Sequence, residues 1–480
     1  MNAKKFIALL LAFVMVFCTL TACTQEAPAP APAPDAATEQ TEAPVKEEAP
    51  APEPTALEKA IEKVVTKGEE VEIVFWTGTG NANYPYLEAM VNAFMEKYPN
   101  IKVDFSNQGA ITELTEKLTQ NIVSKSTPQL SNINAATFPE YVASGAIVDL
   151  AEYFNDPTIG FTAEEQADFF ESYMAEVKSF GPEGTLYGFP TNKKTTDIFV
   201  YNKTYFDAKG WSAPTTWDQV AEYSKIIYEE TGMPGFSYDT SYGEAAFKTL
   251  STQWGSPYVT ADGVVDINNE ASLAAINFFK ENMDAGYFTL PALMPSAGGN
   301  NSSNGFVMQE CYMFVGAAAG IAYALPNAEK GHKVFEVGVA AIPQKDASAA
   351  ATFSKGENYV MFANSTDEQR VATWLLIKFL SEAENNSEWL INTGNLPISQ
   401  SQVEDADYQA FLTMANDGSA AYYKAAAVNA ALEMTDYMRF DVAFPKSGEL
   451  ATEVGKMWKS IMIGDADAAS TLEATAALFN

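Results

Sequence analysis

The fold is decided by the stretch at residues 184–211, which reads GTLYGFPTNKKTTDIFVYNKTYFDAKGW. A short strand at 186–189 ends at Pro190, because proline has no N–H with which to continue a strand ladder. Residues 198–203 divide into two alternating faces, which predicts a second strand. The polar residues at 191–196 therefore connect two strands, either as an ordinary loop or as donors and acceptors that face a cleft.

Several separately spaced elements in and after this stretch resemble one segment of the family 1 extracellular solute-binding proteins of ABC importers. These elements are LYGFP at 186–190, YNK at 201–203, Phe206, Gly210 and PTTWDQ at 214–219. In that family the segment passes from one lobe to the other, and the ligand sits between the lobes. The resemblance continues, with gaps, over the chain that follows the N-terminal region.

The resemblance implies an α/β, type II periplasmic-binding-protein-like fold, in which two lobes of mostly parallel sheets covered by helices enclose a cleft. The order strand–helix–strand–helix at residues 71–125 also predicts a largely parallel sheet. A chain of 480 residues suits two domains, because single cores stop growing beyond roughly 250–300 residues. We expect lobe 1 at 67–188 and 314–362, and lobe 2 at 189–313 and 363–480.

Two helices carry predicted capping boxes, in which a hydroxyl and a Glu or Gln three residues later cap each other's backbone. Thr216 with Gln219 predicts the start of a helix that ends at Gly232. Ser365 with Glu368 predicts the start of another.

Residues 1–22 form a predicted lipoprotein signal peptide. Two lysines precede an apolar segment at 6–20 that is short for a membrane span, and LTAC at 20–23 resembles the bacterial lipobox. Cys23 is the expected acylated residue, with an ordinary signal peptide and an incidental cysteine as the alternative. Residues 23–66 are predicted to form a disordered Pro/Ala/Glu linker after the acylated cysteine. The expected location is therefore the extracellular face of a bacterial cytoplasmic membrane, with a lipid anchor.

The charge and the catalytic residue types exclude several classes of function. The net charge is −33, from 29 basic and 62 acidic residues, which argues against a nucleic-acid partner. The single histidine is His332, and no HExxH, GxSxG or Cys/His metal spacing is present. We therefore expect no enzyme, no metal and no cofactor, although a carboxylate pair for glycoside hydrolysis remains open. Cys311 is expected to be a small buried residue rather than a nucleophile.

Candidate ligand-binding residues in the first part of the chain follow predicted strands, because α/β sheets bind ligands at the carboxyl ends of their strands. They are Trp76, Thr77, Gln108 and Asn134.

Further candidates come from polar and aromatic segments in the middle of the chain. Asn192 and Lys193 belong to the polar connection between the two strands. Tyr238, Tyr242 and Trp254 offer rings that can stack on a hydroxylated ligand. A polar surface loop is the alternative for the two tyrosines, and a core position is the alternative for the tryptophan.

The resemblance implies three more site residues. Gly316 lies in a segment that resembles the family's return crossover, and Asn358 lies in a strand that fits the family's next strands. Arg439 precedes the final helices, where glycerol-phosphate-binding relatives have an arginine that meets the anionic ligand. The alternative for this arginine is a salt bridge to Asp436 or Asp441.

The expected function is that of a substrate-binding lipoprotein of an ABC importer, which captures a carbohydrate or polyol-type solute between two lobes. A binder of glycerol 3-phosphate or of a phosphodiester is the alternative within binding, and a secreted glycan-active enzyme is the alternative outside it. The expected partners are a small hydrophilic solute, the transmembrane permease subunits and the membrane, and the protein is expected to be a monomer.

Overall fold

The computed structural model describes residues 53–192, 194–240, 243–260, 262–299 and 301–480. The predicted signal peptide, Cys23, most of the predicted linker, Lys193 and Tyr242 lie outside these residues. Residues Pro54–Asn480 form one compact unit. In the described part of the chain, no helix combines the length and the apolar character that a membrane span requires.

The strands are β1 (Val71–Thr77), β2 (Ile101–Asn107), β3 (Leu130–Asn134), β4 (Phe189–Pro190), β5 (Thr195–Asn202), β6 (Phe236–Tyr238), β7 (Tyr258–Val259), β8 (Val265–Asp266), β9 (Phe288–Thr289), β10 (Met313–Ala317), β11 (Val337–Ala340), β12 (Thr352–Lys355), β13 (Glu357–Met361) and β14 (Met438–Arg439).

The α-helices are α1 (Ala56–Ile61), α2 (Tyr84–Lys97), α3 (Ile111–Ser124), α4 (Phe138–Ala143), α5 (Ala151–Phe154), α6 (Ala163–Asp168), α7 (Glu171–Lys178), α8 (Lys203–Lys209), α9 (Trp217–Thr231), α10 (Ala245–Gln253), α11 (Glu270–Asp284), α12 (Ser302–Val307), α13 (Asp367–Ser381), α14 (Ser387–Thr393), α15 (Gln400–Glu404), α16 (Ala406–Leu412), α17 (Ala420–Leu432), α18 (Ser447–Met462) and α19 (Ala468–Ala476).

The smaller of the two main sheets has the strand order β2-β1-β3-β13-β4. Strand β1 is parallel to β2 and β3, as the strand–helix–strand pattern predicts. Its buried residues Val71, Ile73 and Phe75 alternate with more exposed positions. Strand β13 is antiparallel to β3 and to β4.

The larger sheet has the order β14-β12-β5-β10-β6-β9, and β11 also pairs with β5. The pairs β10–β6, β6–β9 and β12–β14 are parallel, whereas β10, β11 and β12 are all antiparallel to β5. In both sheets the antiparallel pairs are formed by a strand that follows directly, along the chain, a strand of the other sheet. This strand is β5 in the larger sheet and β13 in the smaller sheet. The sheets were predicted to be mostly parallel, but both are mixed, because β5 and β13 pair antiparallel with their neighbours.

The chain passes directly between the sheets at two places. Residues 191–194 connect β4 to β5, and Gly356, with a φ of 131°, connects β12 to β13. A positive φ of this kind is open to glycine because it has no Cβ. The segment 314–316, which resembles a return crossover, instead lies inside β10 of the larger sheet. The predicted lobe-1 segment 314–362 is thus divided between the sheets, and the lobe boundaries themselves stay a prediction.

The end of the predicted disordered linker is folded. Helix α1 begins with a capping box between Thr55 and Glu58, and its residues Ala60 and Ile61 are buried. It packs against α13. The boundary at residue 66 is therefore wrong, because a short apolar face near the end of the polar tract finds a partner some 300 residues later in the chain.

The predicted helix starts are close to those observed. Helix α9 begins with the capping box of Thr216 and Gln219 and ends at Gly232, whose φ is 72°. The box of α13 uses Thr366 and Gln369, one residue later than predicted. Glu368 instead forms an ion pair with a lysine that precedes β1.

Cys311 is fully buried, as expected. Burial, followed by the charges of Glu310 and Asp239, raises the pKa of its thiol far above the ordinary range. The thiolate is the nucleophilic form of cysteine, so this thiol is unreactive.

Candidate functional site

The carboxyl ends of three strands meet at a cavity of about 960 Å³. We call it the main cavity, and it is lined by the last residues of β3, β12 and β14, which are Asn134, Lys355 and Arg439. Side chains of α7, α10 and α18 complete its wall. Strands of both sheets contribute, as the position of ligand sites in α/β sheets leads one to expect.

Carboxylates outnumber cations in the wall of the main cavity. Five carboxylates and three cations line it among the described residues: Glu171, Glu176, Glu244, Asp436 and Asp441 against Lys248, Lys355 and Arg439. The described residues of the wall therefore have a formal charge of 3 − 5 = −2.

Lys248 is held by two of these carboxylates. Its Nζ lies 2.7 Å from Oδ1 of Asp441 and 3.8 Å from Oε1 of Glu244, and it is 4.8 Å from the ring centroid of Phe353. Burial of Lys248 opposes its charge, but Asp441 and Glu244 outweigh this effect, so its pKa lies above the ordinary value. The positive charge is thus neutralised within the wall.

Lys355 is also held by a carboxylate. Its Nζ lies 2.6 Å from Oδ1 of Asp197, and both side chains are largely buried. Asp197 lies within the buried strand β5, and its charge is compensated at the point where β5 meets β12.

Arg439 differs from these two lysines. Its side chain is exposed to the main cavity, and in the described part of the chain its guanidinium has no ion-pair partner. Asp441, one of its two expected partners, is bound by Lys248 instead. The arginine is held in place by its backbone, because β14 pairs with β12 at Phe353. Among the described cations that line the main cavity, it is therefore the one available to a ligand.

A second cavity, which we call the side cavity, has a volume of about 550 Å³ and lies at the ends of β6 and β10. The candidate Gly316 lines it, together with Asp239, which follows β6. Of the candidates within the described residues, Asn134 and Arg439 line the main cavity and Gly316 lines the side cavity.

Three other candidates occupy the predicted strand ends but line neither cavity. The Trp76 ring is covered by Lys117, whose Nζ is 4.3 Å from its centroid. Gln108 also contacts this lysine, and the buried hydroxyl of Thr77 lies 2.8 Å from that of Thr79. Lys117 thus contacts both Trp76 and Gln108, and Thr79 contacts Thr77.

Three further candidates are buried among other partners. Asn192 donates to the backbone oxygen of Leu380 at 3.0 Å, and Asn358 accepts from Lys194 at 3.0 Å. Tyr238 is fully buried, and burial followed by the charge of Asp197 raises the pKa of its hydroxyl.

Trp254 lies outside both cavities, in an aromatic contact on the surface. Its ring centroid is 5.2 Å from that of Phe278 and 5.1 Å from Nζ of Lys345. The ring is partly buried.

The Trp254→Ala variant should lose stability and keep its affinity for solute. Removing a half-buried ring that packs on Phe278 should lower the free energy of unfolding by roughly 1–3 kcal/mol. Urea denaturation and titration calorimetry measure the two quantities, and Phe278→Ala, which removes the other ring, should behave in the same way. A larger loss of affinity than of stability would show that Trp254 belongs to the binding site.

Lys248, Lys355 and Glu176 were not among the residues that the sequence patterns indicated for the site. A signal was present for one of them, because Lys248 interrupts an otherwise uncharged run in α10. Asp197 is likewise a single charged residue among the uncharged residues of β5. A charge inside an apolar element predicts a buried partner, although not which one.

The family described as bacterial extracellular solute-binding protein matches this chain over residues 89–416. The chain belongs to this family. It is 24% identical over 406 residues to the putative binding protein BAB2_0491 of Brucella abortus, covering 82% of this chain and 88% of that protein. It is 26% identical over 298 residues to the sn-glycerol-3-phosphate-binding periplasmic protein UgpB of Pectobacterium atrosepticum, covering 59% and 62% of the two chains.

Solved structures with the same fold include two whose ligands are named. The cyclic α-maltosyl-1,6-maltose binding protein of Arthrobacter globiformis has a TM-score of 0.69 and 21% identity, covering 86% of this chain and 98% of that one. UgpB of Mycobacterium tuberculosis, in complex with glycerophosphocholine, has a TM-score of 0.68 and 18% identity, covering 85% and 98%. These likenesses confirm the predicted two-lobe α/β fold.

This solute-binding protein is therefore the substrate-binding component of an ABC importer, as predicted. Proteins of this kind bind small solutes and work with permease subunits, and the family is extracellular or periplasmic. The family and the structural neighbours are binding proteins.

Proposed function

We propose that this solute-binding protein binds a neutral, hydroxylated solute of oligosaccharide size in the main cavity and delivers it to the permease. The observation that carries the proposal is the charge of the cavity wall. Among the described residues, five carboxylates line it, and two of the three cations there, Lys248 and Lys355, are held by carboxylates. The proposal includes no catalysis.

The chemistry of the wall suits hydroxyl groups better than phosphate. A carboxylate accepts hydrogen bonds from hydroxyl groups, whereas it repels a second anion. Arg439 can donate hydrogen bonds to sugar oxygens as well as to anions. Five aromatic residues of the described part of the chain line the cavity, and the three partly exposed ones, Phe170, Phe440 and Phe444, provide apolar surface for the faces of sugar rings.

The size of the main cavity supports more than one sugar ring. Its volume of about 960 Å³ is near the top of the range of roughly 300–1,000 Å³ typical of small-molecule sites.

A phosphodiester of glycerol is the second candidate. The observation that favours it is Arg439, which has no ion-pair partner among the described residues. The planar fork of arginine binds a phosphate through two hydrogen bonds. The likeness to UgpB of Mycobacterium tuberculosis in complex with glycerophosphocholine is in keeping with this alternative.

Titration calorimetry with maltotetraose, glycerophosphocholine and sn-glycerol 3-phosphate tests the proposal. We expect maltotetraose to bind best, with an affinity that changes less than about twofold between low and physiological salt, because a neutral ligand is not screened. Preferential binding of either phosphorylated ligand, weakening as salt is added, would overturn the neutral-solute proposal in favour of the second candidate.

We also propose that binding closes two lobes about the two direct crossings, 191–194 and Gly356. Saturation with the bound solute should reduce the radius of gyration measured by small-angle scattering, because closure brings the lobes together. Addition of a sugar that calorimetry shows not to bind is the control. An unchanged radius at saturation would contradict closure.

The proposed location is the extracellular face of a bacterial cytoplasmic membrane, where Cys23 carries the lipid anchor of a monomeric protein. The Cys23→Ala variant should lose metabolic labelling by a fatty-acid analogue, because the acylated thiol is absent. The Cys18→Ala variant is the control and should still be labelled. Equal labelling of Cys23→Ala and the unaltered protein would rule out acylation at this residue.

A further inference from the structure

The side cavity is not used by the function proposed above. It adjoins the main cavity along one edge of the larger sheet, because the strand order places β14 and β12 on one side of β5 and β10 and β6 on the other. The main cavity lies at the ends of β12 and β14, and the side cavity lies at the ends of β10 and β6.

One ion pair separates the two cavities. Lys355 is the residue that lines both of them within the described part of the chain, and its partner Asp197 lines the side cavity. Their side chains are 10% and 6% exposed, and the Nζ–Oδ1 distance is 2.6 Å. The pair therefore lies between two adjoining polar cavities, at the place where β5 stands between β12 and β10.

We propose that the side cavity is a further carbohydrate subsite, so that a long oligosaccharide occupies both cavities and passes beside the Lys355–Asp197 pair. This inference rests on the proposed function and extends it, because it assigns the solute a length greater than the main cavity requires.

The lining of the side cavity suits sugar hydroxyl groups. Asp197, Asp239, Ser303 and Asn304 supply oxygens and an amide, and Lys355 is the only cation among the described residues that line it. A volume of about 550 Å³ falls within the range of small-molecule sites.

Two residues give the side cavity its shape. Tyr323 lines it with a side chain that is 74% exposed, so one face of the ring is open for stacking on a sugar. Gly316 keeps the floor open, because a Cβ there would lie 3.0 Å from the Phe314 ring and 3.2 Å from the Asp239 carboxylate.

Titration calorimetry with maltotriose and maltoheptaose tests the subsite. The unaltered protein should bind maltoheptaose more tightly than maltotriose. Tyr323→Ala should weaken binding of maltoheptaose by roughly three- to tenfold, the effect of one stacked ring, and leave maltotriose unchanged. Asn304→Ala should show the same selectivity for the longer glucan. Both side chains are exposed, so neither change should prevent folding.

Val334→Ala is the matched control, because Val334 is 79% exposed and lines neither cavity. Equal affinity for the two glucans, or no selective effect of Tyr323→Ala and Asn304→Ala, would overturn the subsite and leave the proposed function standing. If the protein binds neither glucan, the result contradicts the proposed function and, with it, the proposed subsite.

Discussion

The Lys194→Met variant should have a free energy of unfolding about 3–5 kcal/mol lower than that of the unaltered protein. Lys194 is fully buried in the direct crossing between β4 and β5. Its Nζ lies 2.5 Å from Oε2 of Glu176 and 3.0 Å from Oδ1 of Asn358. Methionine has a similar length without the charge, so Glu176 would keep a negative charge with little water around it. Removing one member of a buried ion pair typically costs about 3–5 kcal/mol.

A second substitution separates this cause from a packing defect. In Lys194→Met/Glu176→Met both charges are absent, and most of the lost stability should return, because no unpaired charge remains. The matched surface control is Lys456→Met, which breaks the exposed pair with Glu453 and should cost less than about 1 kcal/mol. Urea denaturation gives each value. A double variant as unstable as Lys194→Met would show that the ion pair is not the cause.

The Arg439→Ala variant should bind its oligosaccharide roughly ten- to a hundredfold more weakly. Arg439 is exposed to the main cavity and free of ion pairs with the described residues, so its guanidinium is available to donate to the solute. Hydrogen bonds made by charged groups contribute roughly 1.5–3 kcal/mol, which corresponds to this range of affinity. Stability should change little because the side chain has no internal partner to lose.

The affinity of the Arg439→Lys variant and the salt dependence of binding identify the kind of ligand that Arg439 contacts. Lysine retains the charge without the planar fork, so affinity should be only partly recovered. With a neutral solute the loss should be the same at low and physiological salt, whereas with a phosphodiester it should be greater at low salt. Lys459→Ala removes an exposed charge outside the cavity and should have no effect. A change below about twofold in Arg439→Ala would contradict both ligand contact and the phosphodiester candidate.

Local sequence patterns predicted the framework of the fold because the interactions that define it are local. The capped helix after Thr216 depends on residues within four positions of each other. The strand predicted at 186–189 is shorter in the structure, where only Phe189–Pro190 pairs with β13. Asn134, predicted from a strand end, and Arg439, implied by the family resemblance, both line the main cavity, although about 300 residues of sequence separate them.

The hydrogen-bond and ion-pair partners of the polar side chains could not be predicted in the same way. Asp436 and Asp441 are the carboxylates nearest to Arg439 in sequence, yet Asp441 is bound by Lys248, which is 193 residues away. Asn192 meets its partner Leu380 after 188 residues. Local patterns contain no information on such pairs, so polar residues that look available in the sequence can be occupied by distant partners.

The burial of Cys311 has a practical consequence. It is the cysteine that the described residues contain, and its thiol has no access to solvent and a strongly raised pKa. A thiol-reactive fluorophore added to the Tyr323→Cys variant should therefore label the mouth of the side cavity and spare Cys311. The described part of this chain thus contains a single native thiol, which needs no replacement, and solute uptake can be followed as a change in emission.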